Sequence, residues 1–206
     1  MNKKIKVIAF SGIDGAGKST QINYLKDFLI ARNESVFISK AIFTPFHEYK
    51  SVIQSEELLC LATAFEFVRN SLNVQEIYGD FDYIISDRHK ICYLALALAF
   101  DVVNIESLKK IYSIIPHPDL LIYLDVSVDE ALKRIKKRNM ALSNRESYEM
   151  LVKFKTAYEV LLEEHYYKEL VVIDAMQSAD EVIGQIEEKV IKKIMVANNQ
   201  KIWYIF

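Results

Sequence analysis

The stretch that decides the fold of this chain is Gly12-Ile13-Asp14-Gly15-Ala16-Gly17-Lys18-Ser19-Thr20. It has the spacing G-x4-G-K-[ST] of a Walker A motif, or P-loop. An apolar run at residues 7–10 precedes it, and a helical pattern of apolar residues follows it, which is the strand–loop–helix context that the motif requires. The chain has only 5 glycines, and this loop holds three of them. We therefore interpret it as a phosphate-binding loop rather than an incidental turn.

The residue types in this loop predict how it binds a phosphate. Glycines let the backbone wrap closely so that its N–H groups point at the anion. The N-terminus of the following helix adds unpaired donors and a partial positive charge. We assign Lys18 to the β- and γ-phosphates and the Ser19 hydroxyl to Mg²⁺. Asp14 is unusual here because a carboxylate repels phosphate, so we expect it to contact the acceptor or to orient a water.

Composition limits the class of protein. A chain of 206 residues is long enough for one domain with a sizeable core, and its 51% hydrophobic and 26% charged residues are typical of soluble globular proteins. The net charge of -2 provides no basic field for nucleic acid or acidic membranes. Cys60 and Cys92 lack a metal-ligand spacing, so we expect reduced thiols in a cytoplasmic protein. The apolar run at residues 93–100 is too short to span a bilayer.

Apolar runs alternate with helical patterns along the whole chain. We predict strands near residues 4–11, 35–39, 82–87, 120–125 and 170–174. We predict helices near residues 18–32, 49–78 (two helices), 91–100, 104–115 (capped by Asn104), 129–138, 147–164 and 179–196. The strands lack alternating polarity, which indicates burial on both faces. The expected fold is therefore a three-layer α/β/α domain spanning residues 1–206, with a central five-stranded parallel sheet.

Ligands of such sheets lie beyond the carboxyl ends of the strands, so the residues after each strand are informative. The third predicted strand ends in Asp87-Arg88-His89. We assign Asp87 to Mg²⁺, directly or through water. Arg88 offers a planar, permanently charged fork for bidentate contact with phosphate. His89 alone is a weak signal, and we interpret it as a structural histidine.

A basic segment lies further along the chain. Five of the six residues between Lys133 and Arg138 are basic: Lys133, Arg134, Lys136, Lys137 and Arg138. One interpretation is a solvated helix face whose cations lie near the helix C-terminus. The other, which we favour, is the entry to a lid at about residues 139–146 whose arginines close on the transferring phosphoryl group. A kinase with Ala16 in its P-loop needs such an arginine from elsewhere.

These motifs together resemble the thymidylate kinases, of the nucleoside-monophosphate kinase group. The opening pattern of that family matches residues 10–20 throughout, and its aspartate-arginine pair after the third strand matches Asp87 and Arg88. Its proline-aspartate-leucine strand, which ends in leucine-aspartate-valine, is similar to residues 118–126. Weaker similarities cover the lid entry, the long helix after it, and a last strand with an adenine-side loop at residues 172–177. The resemblance extends over nearly the whole chain.

The resemblance implies transfer of the γ-phosphoryl group of Mg-ATP to dTMP, giving dTDP, by a homodimer. It implies that a lid arginine is catalytic, with Arg138 and Arg145 as candidates. Arg134 or Arg138 would stack on adenine, beside Gln177. The implied acceptor contacts are Asp14, Arg69, Arg88 and Tyr158.

The acceptor side departs from the family pattern. The family's arginine-glutamate-proline-glycine-glycine is Phe-Thr-Pro-Phe-His at residues 43–47. Cys92 and residues 95–97, Ala-Leu-Ala, stand where the family has serine and alanine-tyrosine-glutamine. Glu66 falls near the family's helix arginine, and Arg69 follows one turn later. A pocket with fewer hydrogen-bonding partners discriminates a base poorly. The favoured acceptor is dTMP, and the alternative is another nucleoside, nucleotide or small hydroxyl compound.

Two other classes of function remain open. One is a nucleotide-dependent switch without phosphoryl transfer, but the chain has no asparagine-lysine-x-aspartate base motif and no aspartate-x-x-glycine switch beyond the P-loop. The other is an inactive relative that only binds ATP. We also expect the apolar tail at residues 202–206 to cover the core or a partner chain.

Overall fold

The computed structural model describes residues 4–40, 55–102, 104–138, 143–164, 167 and 169–195. In these residues the chain forms a sheet of five parallel strands in the order β2-β3-β1-β4-β5. The strands are β1 Lys6–Ser11, β2 Val36–Lys40, β3 Tyr83–Asp87, β4 Leu120–Asp125 and β5 Leu170–Asp174. This architecture confirms the predicted α/β fold with a central five-stranded parallel sheet.

Helices connect the strands. They are α1 Lys18–Ile30, α2 Glu56–Leu72, α3 Val74–Tyr78, α4 Lys90–Ala99, α5 Ile105–Ser113, α6 Val128–Lys136, α7 Tyr148–Glu163 and α8 Ala179–Val190. A short 3₁₀ helix spans Asn144–Glu146, and a π-helical turn, Ile191–Met195, follows α8. None of the helices in the described part of the chain is long and apolar enough to cross a membrane.

Serine side chains decide where several helices begin. Ser55, Ser127, Ser147 and Ser178 precede α2, α6, α7 and α8, and each hydroxyl oxygen accepts a hydrogen bond from a backbone N–H of the first turn. Such caps satisfy donors that have no partner inside the helix. The predicted cap at Asn104 is wrong in detail. Helix α5 begins after Asn104, but that residue has a left-handed backbone, with φ of 71°, and its side chain makes no capping bond.

The central strands form the core of the fold. Ile8, Ala9 and Phe10 of β1 are fully buried, as are Leu120, Ile122 and Leu124 of β4. Burial of both alternating sets of side chains means that each sheet face is covered, which is why these strands read as continuous apolar runs. The predicted strand positions are confirmed to within two residues at every end.

The sheet order determines where the loops meet. Strand β1 lies between β3 and β4, with Phe10 paired with Asp87 and Ser11 paired with Tyr123. The loop after β1 therefore lies between the carboxyl ends of β3 and β4. This is the point where the strand order reverses, at which ligands of open α/β sheets bind.

Some predictions fall outside the described residues. They concern the segment at residues 43–47, the start of the predicted helical region at residues 49–54, most of the predicted lid at residues 139–142 and the apolar tail at residues 202–206. The extent of the single domain, residues 1–206, likewise stays a prediction.

Candidate active site

Two glycines of the P-loop lie where no other residue fits. Gly12 has a φ of 139°, and a Cβ atom on it would lie 2.7 Å from the carbonyl oxygen of Leu124. Gly15 has a φ of 85°, and its Cβ would lie 2.4 Å from the carbonyl oxygen of Ala131. Both the positive φ and the close approach of neighbouring backbone require glycine. The loop is thus held tightly between the end of β4 and helix α6.

Lys18 lies at the base of the loop and is 7% exposed. Its Nζ donates hydrogen bonds of 2.8 Å to the carbonyl oxygens of both Gly12 and Ile13. Burial, and then the positive charge of Arg88, lower the pKa of Lys18 to about 8, against the opposing effect of Asp14. A bound phosphate would favour the charged form of this lysine, because an anion in contact with an ammonium group raises its pKa.

Asp14 and Arg88 form the strongest charge pair of the loop. Arg88 Nη2 donates a 2.7 Å hydrogen bond to Asp14 Oδ1, and Lys18 Nζ lies 3.7 Å from the same oxygen. Burial by itself would raise the pKa of Asp14, but the charges of Arg88 and Lys18 outweigh it and hold that pKa below the usual value. For Arg88, burial acts to lower the pKa, but the carboxylate of Asp14 outweighs it and the pKa is raised. Both groups therefore stay charged.

This pair explains how the P-loop tolerates a carboxylate. From the sequence we expected Asp14 to contact the acceptor or to orient a water, because a carboxylate repels phosphate. In the structure Arg88, which follows the neighbouring strand β3, offsets that repulsion. The two residues are separated by 74 positions in the chain, so no local pattern could have revealed the contact.

The structure gathers most of the predicted site residues into one cleft of about 460 Å³. Its walls carry the loop, the start of α1, the end of β3 and the first lid arginine, namely Asp14, Gly15, Gly17, Lys18, Ser19, Thr20, Asp87, Arg88 and Arg138. Cationic groups thus surround a space that is large enough for phosphates, which is the arrangement that stabilises a transferring phosphoryl group.

The two candidate lid arginines differ in position. Arg138 lines the cleft, and its Nη1 lies 3.8 Å from Glu146 Oε1. The Cζ atom of Arg145 lies 5.6 Å from the centre of the Phe100 ring, and Arg145 is not among the described residues that line the cleft. Sequence reasoning cited Glu146 only in the similarity to the long helix after the lid. Its spacing from Ser143 is also a capping signal, and its side chain accepts a 2.9 Å bond from the Ser143 N–H.

A second cavity of about 350 Å³ adjoins the first and shares Gly17 and Thr20 with it. Its walls also contain Ala16 of the P-loop and the predicted adenine-side residues Arg134 and Gln177. Arg134 Nη2 donates a 2.9 Å bond to the carbonyl oxygen of Ala175, and its Nε donates to Glu130. The guanidinium is thus fixed against the end of β5, where its face can meet a base.

Gln21 is a residue of this second cavity that the motif did not indicate. It is buried in the first turns of α1, and its Nε2 donates a 3.0 Å bond to the carbonyl oxygen of Ala179. The bond joins α1 to the start of α8. The side chain thereby closes the back of the cavity between these two helices.

Tyr158, a predicted acceptor contact, is more deeply buried than a residue at the surface of a cleft. It is 2% exposed, and its hydroxyl lies beside the thiol of Cys92. The sulfur of Cys92 lies 3.2 Å from Ser11 Oγ. Burial, followed by the nearby Cys92, raises the pKa of Tyr158. A buried chain of hydroxyl and thiol groups therefore lies beneath the P-loop strand, and sequence reasoning did not find it.

On helix α2 the positions of Arg69 and Glu66 differ from what the sequence led us to expect. Arg69, the predicted acceptor contact, is exposed and does not line the phosphate cleft in the described residues. Glu66 is 3% exposed, and its Oε2 has no hydrogen-bonding partner within the described part of the chain. Buried polar atoms in native proteins nearly always have a partner, so this oxygen marks a place where a further group is expected.

His89 follows Arg88 directly but faces the apolar interior. It is 4% exposed, and its ring lies 5.5 Å from the ring of Phe67. Burial, and then the charges of Lys90 and His117, lower the pKa of His89 to about 3. The imidazole is neutral at physiological pH, which agrees with the prediction of a structural histidine.

The residues assigned to Mg²⁺ fit such an ion. The Asp87 carboxylate and the Ser19 hydroxyl line the same cleft as Lys18. The described residues contain no group of three or more histidine, cysteine, aspartate or glutamate side chains that could hold a metal by themselves. Mg²⁺ at nucleotide sites takes one or two protein oxygens, with phosphates and waters completing the shell, so one carboxylate and one hydroxyl suit it.

Comparison with known proteins agrees with this geometry. A model of the thymidylate kinase family matches residues 10–186. A thymidylate kinase of Prochlorococcus marinus (strain NATL1A) is 27% identical over 93% of this chain and 98% of its own length. A thymidylate kinase of Desulfotalea psychrophila is 32% identical, covering 88% and 92%. A probable thymidylate kinase of Saccharolobus solfataricus is 30% identical, covering 87% and 94%.

Proposed function

Because this chain belongs to the thymidylate kinase family, we propose that it is an ATP-dependent phosphotransferase that converts dTMP into dTDP. The observation that carries this proposal is the single cleft that holds the P-loop, Lys18, the Asp14–Arg88 pair and Arg138. The matched relatives align over nearly their whole length, which supports a shared reaction.

The reaction needs positioning and charge stabilisation rather than covalent help from the protein. A phosphate oxygen of the acceptor forms a bond to the γ-phosphorus, the bond from that phosphorus to the bridging oxygen breaks, and ADP leaves with the electron pair. In this scheme Lys18 and Arg88 contact the oxygens on which negative charge develops. Their hydrogen bonds to the loop and to Asp14 orient them before the substrates bind.

Arg138 is the lid arginine that we assign to the transferring group. It directly precedes the lid, about residues 139–146, and it already lines the phosphate cleft. Its Nη1 lies 3.8 Å from Glu146, the last residue of that segment. Arg145 would reach the cleft only after leaving Phe100, so we assign it a secondary role.

ATP would bind with its base in the second cavity, against Arg134 and Gln177. Its phosphates would lie on the P-loop. A magnesium ion held by Ser19 and Asp87 would offset the charge of the phosphates. Acceptor contacts of Asp14, Arg69 and Tyr158 remain part of the proposal, with Tyr158 acting from beneath the site because its hydroxyl lies beside the thiol of Cys92.

We infer that the enzyme is a homodimer formed through α2. Large apolar side chains at helical spacing stand exposed on one side of that helix, namely Leu58, Leu61, Phe65 and Leu72, and Phe65 is 66% exposed. A stripe of this kind is costly in water and suits the same stripe of a second copy. Sedimentation should show a dimer at micromolar concentration and a monomer for Phe65→Asp. A monomeric parent protein would overturn the inference.

A cytoplasmic location fits the cysteines. Cys60 and Cys92 are both buried, and we expect them to be reduced thiols, as in a reducing compartment.

The test of the proposed function is a panel of acceptors. ADP release with Mg-ATP is measured for dTMP, for other nucleoside monophosphates and for nucleosides. We expect the highest kcat/KM with dTMP. Activity on nucleosides but on no monophosphate would refute the proposal. The panel also shows how well the enzyme discriminates between bases. Because Glu66 and Cys92 depart from the family pattern in the acceptor pocket, we expect that discrimination to be weak.

A further inference from the structure

The turn after β3 contains an unusual backbone conformation. Arg88 has a φ of 87° although it is not glycine. This left-handed region places Cβ close to neighbouring backbone atoms, so a residue with a side chain enters it only when other interactions hold it there. The strained residue is the one whose guanidinium bonds to Asp14 and lines the phosphate cleft.

Two hydrogen bonds hold this conformation from either side of the residue. The Arg88 N–H donates to the carbonyl oxygen of Phe10 at 3.1 Å, which fixes the turn to β1. The Ser86 hydroxyl donates to the carbonyl oxygen of Arg88 at 2.6 Å. Only the second bond depends on a side chain, and so only the second can be removed by substitution without changing the backbone donors.

The backbone of Ser86 is held in a fixed position from which its hydroxyl makes this bond. It lies in β3, which is paired on both sides, and its own partners are Ala9 of β1 and Ser39 of β2. Ser86 is 6% exposed, so its hydroxyl has little contact with bulk water. A hydroxyl fixed in this way can restrain the flexible turn two residues later.

We propose that Ser86 is a positioning residue for the reaction: its hydroxyl holds Arg88 in the left-handed conformation that aims the guanidinium at Asp14 and the phosphates. The proposal rests on the proposed function only through the role of Arg88 in the cleft. Without the hydroxyl, Arg88 relaxes toward a negative φ, and its side chain leaves the 2.7 Å contact with Asp14.

The experiment compares three single variants in the dTMP assay. Ser86→Ala removes the hydroxyl, and we expect kcat/KM for dTMP to fall about tenfold, as the loss of one hydrogen bond predicts. The dissociation constant of ATP should stay within about twofold, because the Lys18 contacts remain. Ser86→Thr keeps the hydroxyl and should restore most of the activity. Ser86 lines a cavity of about 100 Å³, and threonine adds only one methyl group there.

Ser39→Ala is the matched control. Ser39 is paired with Ser86 on the neighbouring strand and lines the same cavity, but its side chain makes no hydrogen bond in the described part of the chain. This variant should keep the parental kcat/KM. Equal losses for Ser39→Ala and Ser86→Ala would show a general packing effect and overturn the proposal.

A double-mutant cycle with Arg88→Ala separates the possible outcomes. If Ser86 acts through Arg88, adding Ser86→Ala to Arg88→Ala causes no further loss of kcat/KM, whereas additive losses would contradict the proposal. An Arg88→Ala variant with full activity would instead refute the role of Arg88 in the proposed function. Thermal unfolding of each variant shows whether it is folded. If the Ser86→Ala variant does not fold, the cycle is run with Ser86→Cys, whose thiol is only a weak hydrogen-bond donor.

Discussion

The turn after β3 separates two regions, the phosphate cleft and an aromatic cluster, which shift the pKa values of their residues in opposite directions. Arg88 enters the phosphate cleft and its pKa is raised, whereas His89, the next residue, enters an aromatic cluster and its pKa falls to about 3. The aromatic cluster consists of Phe67, His89, Tyr93 and Tyr112. His89 is buried and Arg88 partly buried, and Arg88 has the carboxylate of Asp14 as a partner. Burial alone removes charge, and a fixed partner of opposite sign keeps it.

Lys18 and Lys90, which are both buried, also show that burial alone does not identify a functional residue. The pKa values of Lys18 and Lys90 are both lowered to about 8, chiefly by burial. Lys18 faces the cleft, whereas Lys90 Nζ donates a 3.1 Å bond to the carbonyl oxygen of Ile115. A lowered pKa therefore does not mark a site by itself. Access to the phosphate cleft distinguishes the two residues.

The largest effect should come from removing one lysine of this pair. Lys18→Ala should reduce kcat by about a thousandfold, because it removes a cation from the developing negative charge. Lys90→Met removes an equally buried lysine outside the cleft and should keep kcat within about threefold, at some loss of stability. Steady-state kinetics and thermal unfolding of both variants test the contrast. Similar activity in the two variants would contradict the conclusion that only the lysine in the phosphate cleft takes part in the reaction.

A smaller effect is expected in the aromatic cluster. Phe67→Ala should lower the free energy of unfolding by about 3 kcal/mol, because it removes a buried ring in contact with His89, Tyr93 and Tyr112. Binding of ATP should persist, since the P-loop does not depend on this ring. Urea unfolding and ATP titration measure the two quantities. Tyr24→Ala, an exposed aromatic on α1, is the control and should change stability little.

A third prediction concerns the pH dependence of stability. The pKa of His89 is about 3 in the folded protein and about 6.5 when the chain is unfolded. As the pH falls below about 6.5, the unfolded chain takes up a proton that the folded one does not, so this residue makes the protein less stable. His89→Gln should therefore reduce the loss of stability between about pH 6.5 and 4. Unfolding curves at several pH values measure this slope, and an unchanged slope would contradict the low pKa.

The fold and the P-loop could be predicted because their signals are local. The glycines at positions 12 and 15 are required by backbone geometry, and the five apolar runs reflect strands buried on both faces. Serine caps likewise act within one helical turn. Asn104 directly precedes α5 as predicted, but its backbone is left-handed and its side chain makes no capping bond.

By itself the sequence determined the strand–loop–helix unit, the parallel sheet and the family of the chain, since each depends on residues that are near one another along the chain. Only the tertiary structure decided that Arg88 neutralises Asp14, that Arg138 rather than Arg145 lines the cleft, and that Ser86 restrains the turn. The reason is the strand order, which places β3 beside β1 and brings together groups 74 positions apart. Pairing of charges across a sheet leaves no periodic pattern in the sequence.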